Sequence, residues 1–350
     1  MLLYVHIPFC ESKCPYCAFG SVTGAQNLAR DYFSAMISDF RAQTQNLDVL
    51  HGQISSVFFG GGTPSAIGAK FYEPLFSEIS PFLARDCEIT AEANPNSATL
   101  SWLKTMRNFG VNRISFGAQS FFDDKLKFLG RIHDARQIKK AVSNARAAGF
   151  DNVNADLIYG TKLDTKKRLL EEILSVRDLG VDHVSAYSLT LEKDTPFYGR
   201  QSLKKDSAVL AKFLIGELEN AGFKQYEISN FGRICRHNLG YWQGKDYLAL
   251  GAYAVGFRRN FRFYNAPNLE RYIANPHEKK REILSADELN LEKIFLGARS
   301  VVGVEAKILT PSQLKNARIL EGSGKLNFKD GRFFNENFLL ADEIALFIAG

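Results

Sequence analysis

Leu2-Leu3-Tyr4-Val5-His6-Ile7-Pro8-Phe9-Cys10-Glu11-Ser12-Lys13-Cys14-Pro15-Tyr16-Cys17 is an apolar strand that runs straight into three cysteines. Their spacing is C-x3-C-x2-C. Short cysteine gaps of this kind supply the thiolates of iron–sulfur clusters. Three thiolates hold three corners of a four-iron cube and leave the fourth iron free for a small molecule. An open position marks a reactive site, where a closed shell marks a structural one. Zinc is the alternative, but it takes four ligands, and no second Cys/His pair stands at zinc spacing.

Working outward, one pattern recurs at the ends of helical runs. Asn108-Phe109-Gly110-Val111, Ala147-Ala148-Gly149-Phe150, Asp178-Leu179-Gly180-Val181 and Asn220-Ala221-Gly222-Phe223 each place Gly, then an apolar residue, before polar residues and a strand. Glycine ends helices because it enters the left-handed conformation without a Cβ clash. These are βα units, which demand parallel strands. Strands are expected at Leu2–Ile7, Ile54–Phe59, Glu88–Ala93, Arg113–Phe116, Val153–Tyr159 and His183–Leu189. The helix over 134–148 places Ile138, Ala141, Val142, Ala145 and Ala148 on one face; that over 164–179 places Leu169, Leu170, Ile173 and Leu174 there. Six units are fewer than the eight of a closed barrel. Periodicity alone leaves an open barrel and a doubly wound sheet both standing.

Parallel α/β folds bind ligands beyond the carboxyl ends of their strands. There the second strand runs into Gly60-Gly61-Gly62-Thr63-Pro64-Ser65, the third into Glu92-Ala93-Asn94-Pro95, the fourth into Phe116-Gly117-Ala118-Gln119-Ser120, and the fifth carries Asp156. Glycines let a backbone approach a ligand closely. No Lys-Ser/Thr follows, so this is not a P-loop. A triple glycine is also an ordinary tight turn, and each polar residue singly reads as a hydrogen-bond partner. Their joint position at successive strand ends favours a polar cofactor.

The chain has 350 residues, a net charge of +6 and five cysteines, three of them clustered. The mild charge permits an anionic partner but lacks the clustered basic stripe of a nucleic-acid binder. Cys87 and Cys235 stand alone, so there is no secreted disulfide framework. No signal peptide and no 18-residue apolar stretch is visible, and a reducing cytoplasm is the expected location. After about Tyr226 the rhythm changes to short strands, the basic stretch Phe257-Arg258-Arg259-Asn260-Phe261-Arg262-Phe263, a helix over 286–299 and a terminal helix from 337.

The three cysteines with Tyr16, and Gly60-Gly61-Gly62-Thr63-Pro64, resemble the radical S-adenosylmethionine (SAM) superfamily. Tyr4-Val5-His6-Ile7-Pro8-Phe9-Cys10, Glu92-Ala93-Asn94-Pro95, Gly117-Ala118-Gln119-Ser120-Phe121 and Asp156-Leu157-Ile158-Tyr159-Gly160 resemble its oxygen-independent coproporphyrinogen III oxidase-like group. The resemblance spans nearly the whole chain. It implies an α/β fold, a partial (β/α)6 TIM-like barrel over 1–225, with an α+β domain over 226–350. It implies a [4Fe-4S] cluster on Cys10, Cys14 and Cys17. It implies SAM held by Gly61, Gly62, Thr63, Glu92, Gln119, Arg131 and Asp156, with Tyr4 and Tyr16 nearby.

Coproporphyrinogen dehydrogenases of the group carry a further Cys two places after the third; here that position is Phe19. Together with His237-Asn238-Leu239-Gly240-Tyr241-Trp242, this resembles the heme chaperone branch, in which the His is implicated in heme binding. The implied function is heme delivery to acceptor proteins, with a homodimer and peripheral membrane association compatible with it and no catalytic residue assigned. From the residues alone, a His beside Tyr and Trp reads as a hydrogen-bonded structural residue. Arg258, Arg259 and Arg262 read as the solvated side of an edge strand before they read as partners for heme propionates. The chain departs from the group at Thr161-Lys162-Leu163, at Ala254-Val255-Gly256, where the group has a His at the Val255 position, and at Ala18. The rival is radical decarboxylation of coproporphyrinogen propionates; a radical enzyme acting on RNA lacks basic support.

Overall fold

The computed structural model describes residues 1–350. Strands β1 (Leu2–Ile7), β2 (Ile54–Gly61), β3 (Leu83–Ala93), β4 (Arg113–Gln119), β5 (Val153–Tyr159) and β6 (His183–Ser188) lie side by side, all parallel, in the order of the sequence. A doubly wound sheet reverses its order at a switch point. This sheet does not reverse, so it is the partial (β/α)6 barrel. The four glycines expected to end helices all have positive φ: Gly110 at 107°, Gly149 at 88°, Gly180 at 65° and Gly222 at 94°. Helix starts are equally local. Thr99, Asp134, Thr165 and Ser207 each accept a backbone N–H in the first turn.

One helix face differs from its pattern. On Lys166–Leu179 the buried residues are Leu169, Glu172, Ile173 and Val176, while Leu174 is exposed. Glu172 turns inward because it meets Lys125, whose ammonium lies 3.0 Å from Glu172 and 2.7 Å from Asp164, all fully buried. Apolar periodicity alone does not anticipate a buried ion pair.

The sheet continues past the six strands. Tyr247–Leu250 pairs parallel to β1, and Val255–Arg258, Phe261–Tyr264 and Lys280–Ile283 extend it antiparallel; Asn230–Gly232 closes the other edge against β6. Five strands between residues 230 and 283 are therefore hydrogen-bonded into the barrel sheet. A distinct apolar core forms only from Ile294 to Ile348, among three helices and a three-stranded sheet. Arg258, Arg259 and Arg262 sit on the hairpin over 255–264, which Lys280–Ile283 covers as the true edge strand. Arg258 faces Asp246, and Arg262 pairs with Glu282 and Glu292, so these two are ion-paired on inner strands and the expected solvated edge strand is not what the structure shows.

The inward face of the barrel is polar at period two, as a pleated strand requires. Tyr4 and His6, Ser56 and Gly60, Glu88, Thr90 and Glu92, Arg113, Ser115 and Gln119, Asn154 and Asp156, and His183 and Ser185 form it. Hydrogen bonds knit this lumen together. Asn154 donates to Ser115 and Asp156 at 2.6 Å, and His183 joins Asn154 (2.6 Å) to Tyr226 (2.8 Å). The floor, at the amino ends of the strands, is closed by the short helix Arg236–Trp242, which binds Ser56 and Glu88.

Candidate functional site

The carboxyl ends of the strands gather the expected residues at one mouth. β1 continues through Pro8 into Phe9–Cys10, which pairs with Val22–Thr23 and holds the cysteine loop against the barrel. The glycine loop zips onto it: Gly62 N–H donates to Ile7 O and Thr63 N–H to Phe9 O, both at 2.8 Å. A Cβ on Gly62 would lie 2.7 Å from the Pro8 carbonyl carbon, and one on Gly61 2.4 Å from the His6 ring. These glycines therefore serve close backbone approach as well as a turn.

Cys10 and Cys14 are linked by a hydrogen-bonded arc. Arg131 donates to Cys14 Sγ (3.4 Å), to Asn94 Oδ1 (2.5 Å) and to Gly117 O (2.9 Å). Asn94 donates to Thr63 Oγ1 at 3.2 Å, and Thr63 reaches Cys10 Sγ at 3.5 Å. Arg131 follows Gly130, whose φ is +67° and where a Cβ would lie 2.5 Å from Pro15 Cδ, so the turn before it requires glycine. Cys10 is buried, while Cys14 and Cys17 are half-buried. Burial pushes the Cys10 and Cys17 thiols up. No three Cys, His, Asp or Glu side chains converge as the ligands of a single ion do.

Beside the cysteines stand two carboxylates with no ion pair. Glu92 has one donor, Gly61 N–H at 3.2 Å. Burial, and then the charge of Asp156, push its carboxyl up to about 8. Asp156 is pushed up by burial against the pull of Ser185, Asn154 and two arginines. Gln119 sits at φ +66°, where β4 slips register against β5 between Phe116 and Gln119. Left-handed backbone in a non-glycine residue, held by a bulge, is strain of the kind that clusters at sites. Arg131 Nε, buried here, has no partner. One underbonded acid, Glu92, a second carboxylate with no cation paired to it, an unpaired donor, and glycine cradles fit a ligand that carries both cationic and acceptor groups. Tyr4 hydroxyl donates to His6 Nδ1 (2.9 Å), leaving His6 Nε2 to donate to Gly20 O (2.7 Å). Tyr16 packs beside Leu129, Ile158, Leu189 and Phe197.

His237 is elsewhere. It lies on the floor helix, fully buried, with Nδ1 2.8 Å from Ser56 Oγ and Nε2 2.8 Å from the Tyr241 hydroxyl. Burial, with Arg113 nearby, lowers its imidazole to about 3. Both ring nitrogens are occupied, so neither is open to an iron in this conformation. Sequence reasoning gave no role to Asn94, His6 and Arg113. The signal available was their polar character on the inward face of otherwise apolar strands or at a strand end.

Residues 4–184 match the Radical SAM superfamily model. The heme chaperone HemW of Mycobacterium tuberculosis (strain ATCC 25618 / H37Rv) is 32% identical over 370 residues, covering 99% of this chain and 94% of that protein. The HemW of Bacillus subtilis (strain 168) is 33% identical over 325 residues, covering 87% and 84%. Among solved structures, coproporphyrinogen III oxidase (HemN) from Escherichia coli superposes with a TM-score of 0.82 at 21% identity, over 99% of this chain and 89% of that one. At that identity the likeness is one of fold.

Proposed function

The chain belongs to the radical SAM superfamily and, within it, to the heme chaperone HemW family, and from that premise we propose that it binds heme and delivers it to acceptor proteins, with a [4Fe-4S] cluster and SAM held at the barrel mouth. The observation that carries this reading is the end-to-end match to proteins named heme chaperones. The likeness to HemN supports the fold without the activity.

Cys10, Cys14 and Cys17 would hold the cluster. Thr63 and Arg131 would donate toward two of its thiolates, as hydrogen bonds to cluster sulfurs do elsewhere. Gly61 and Gly62 would bring backbone groups against SAM, Glu92 and Asp156 would face its positive charges, and Gln119 would supply its amide. The cluster and the sulfonium, when bound, supply one-electron reductive chemistry. The protein's own part is to orient and shield: the Tyr4–His6–Gly20 bonds fix the wall beside the cysteines, and Arg131 ties three loops into one rim. Glu92 would lose its proton as a cation settles beside it, because an adjacent positive charge reverses the effect of burial.

The test uses anaerobically reconstituted full-length protein. Heme binding at one equivalent, without conversion of coproporphyrinogen III in the presence of SAM and reductant, supports the reading. Conversion to protoporphyrinogen in step with SAM cleavage overturns it.

A further inference from the structure

A cleft of about 690 Å³ lies at the other end of the barrel, between the floor helix Arg236–Trp242 and the C-terminal module. Its volume falls within the roughly 300–1,000 Å³ typical of ligand sites. Leu239, Trp242, Val302 and Ile308 give it apolar walls. Lys245 and Lys293 stand on it, both exposed and in no ion pair. Arg332 and Glu305 also line it; Glu305 is already shared between Arg332 and Lys307. The rim thus offers three cations against one carboxylate, a charge balance that suits a dianion.

The floor helix divides its residues between two duties. His237 and Tyr241, four apart, share the inward face and lock together over Ser56. Leu239 and Trp242 are turned into the cleft. We infer that this cleft is the heme seat, with the ring on Leu239 and Trp242 and the propionates on Lys245 and Lys293, and that His237 is a positioning residue for that wall and not the iron's ligand. The inference rests on the function proposed above. Ammonium groups bind carboxylates as point charges, and indole offers a flat apolar face to a macrocycle.

Two consequences follow from the placement. The cleft's lining contains no His, Cys, Met or Tyr. Iron seated there is held without an imidazole or thiolate from the walls, which leaves it ready for an acceptor with stronger ligands. The floor and the cysteine mouth are separated by the strand length from Ser56 to Gly61, roughly 16 Å at about 3.3 Å per residue. Heme on the floor side is out of contact with anything held at the mouth, so it is cargo and not the reacting partner.

The experiment is an anaerobic heme titration of the full-length chain, followed by absorbance, with thermal unfolding as a control. The double variant Lys245→Glu/Lys293→Glu is expected to bind about tenfold or more weakly at unchanged unfolding temperature. His237→Ala is expected to weaken binding and His237→Gln to restore it, with the wild-type heme spectrum. Wild-type affinity in the lysine double variant overturns the cleft assignment. A spectrum that changes ligand type in His237→Gln overturns the positioning role. If the wild-type chain binds no heme at all, the functional reading itself fails, an outcome separate from both.

Discussion

Replacing Glu92 by Gln is expected to stabilise the ligand-free chain at alkaline pH. Glu92 lies beside Asp156 with one backbone donor, and its carboxyl rises from an ordinary 4.5 to about 8. The folded chain therefore binds this proton more tightly than the unfolded chain does. The stabilising contribution is fully present below about pH 4.5 and is lost as pH climbs through about 8. At about 1.4 kcal/mol per pH unit, that window amounts to about 5 kcal/mol. Glu92 is only half-buried by surface exposure, because it faces the open mouth. Water there screens the charge and reduces the figure to about 2 kcal/mol. The assay is urea unfolding by circular dichroism from pH 4 to 9. Wild type and Glu92→Gln should match near pH 4, diverge steadily from about pH 5 and level off past about pH 8, the variant ending about 2 kcal/mol more stable. Added SAM should stabilise wild type more than the variant, since the cation compensates the carboxylate. Parallel stability curves across the whole range would refute the reasoning.

Three further outcomes are expected. Lys125→Met leaves Asp164 and Glu172 buried together and should cost about 3–5 kcal/mol in chemical denaturation; adding Glu172→Met should recover part of it. Gly62→Ala drives a Cβ into the backbone at Pro8 and should cost about 1–3 kcal/mol by the same method, with lower iron retention after anaerobic reconstitution. Arg131→Lys replaces a fork that spans Cys14, Asn94 and Gly117 with a point charge, and should reduce retained iron while circular dichroism stays unchanged.

What the sequence conveys about this fold is whatever depends on neighbours along the chain. The glycine-ended helices and their Thr, Asp and Ser caps are local signals; the structure carries each glycine where the spacing predicts it, and adds the caps. The cysteine loop and glycine loop are also local, and their meeting follows once β1 and β2 are adjacent. Tyr247–Leu250 is the contrasting case. Four residues of apolar strand are too short to announce a partner, and β1 lies more than two hundred residues upstream. Nothing local distinguishes this strand from one in a separate module. Glu172 fails for a related reason: its inward turn is decided by Lys125, on another element.

The H-N-x-x-Y-W stretch shows how far a motif can be read without its surroundings. A helical wheel separates His237 and Tyr241 from Leu239 and Trp242, but it cannot say which pair meets the barrel. The barrel decides, and it does so through polarity. The strand ends at the floor present Ser56 and Glu88, which need partners once buried. The His–Tyr face satisfies Ser56 through the His237 ring, while the His237 backbone N–H serves the Glu88 carboxylate. Leu239 or Trp242 in that place would leave the Ser56 hydroxyl buried and unpaired, at a cost of about 1–3 kcal/mol. The apolar pair is thereby forced outward, against the C-terminal module. The same lumen polarity that supplies Glu92 and Asp156 at the mouth thus orients the floor helix.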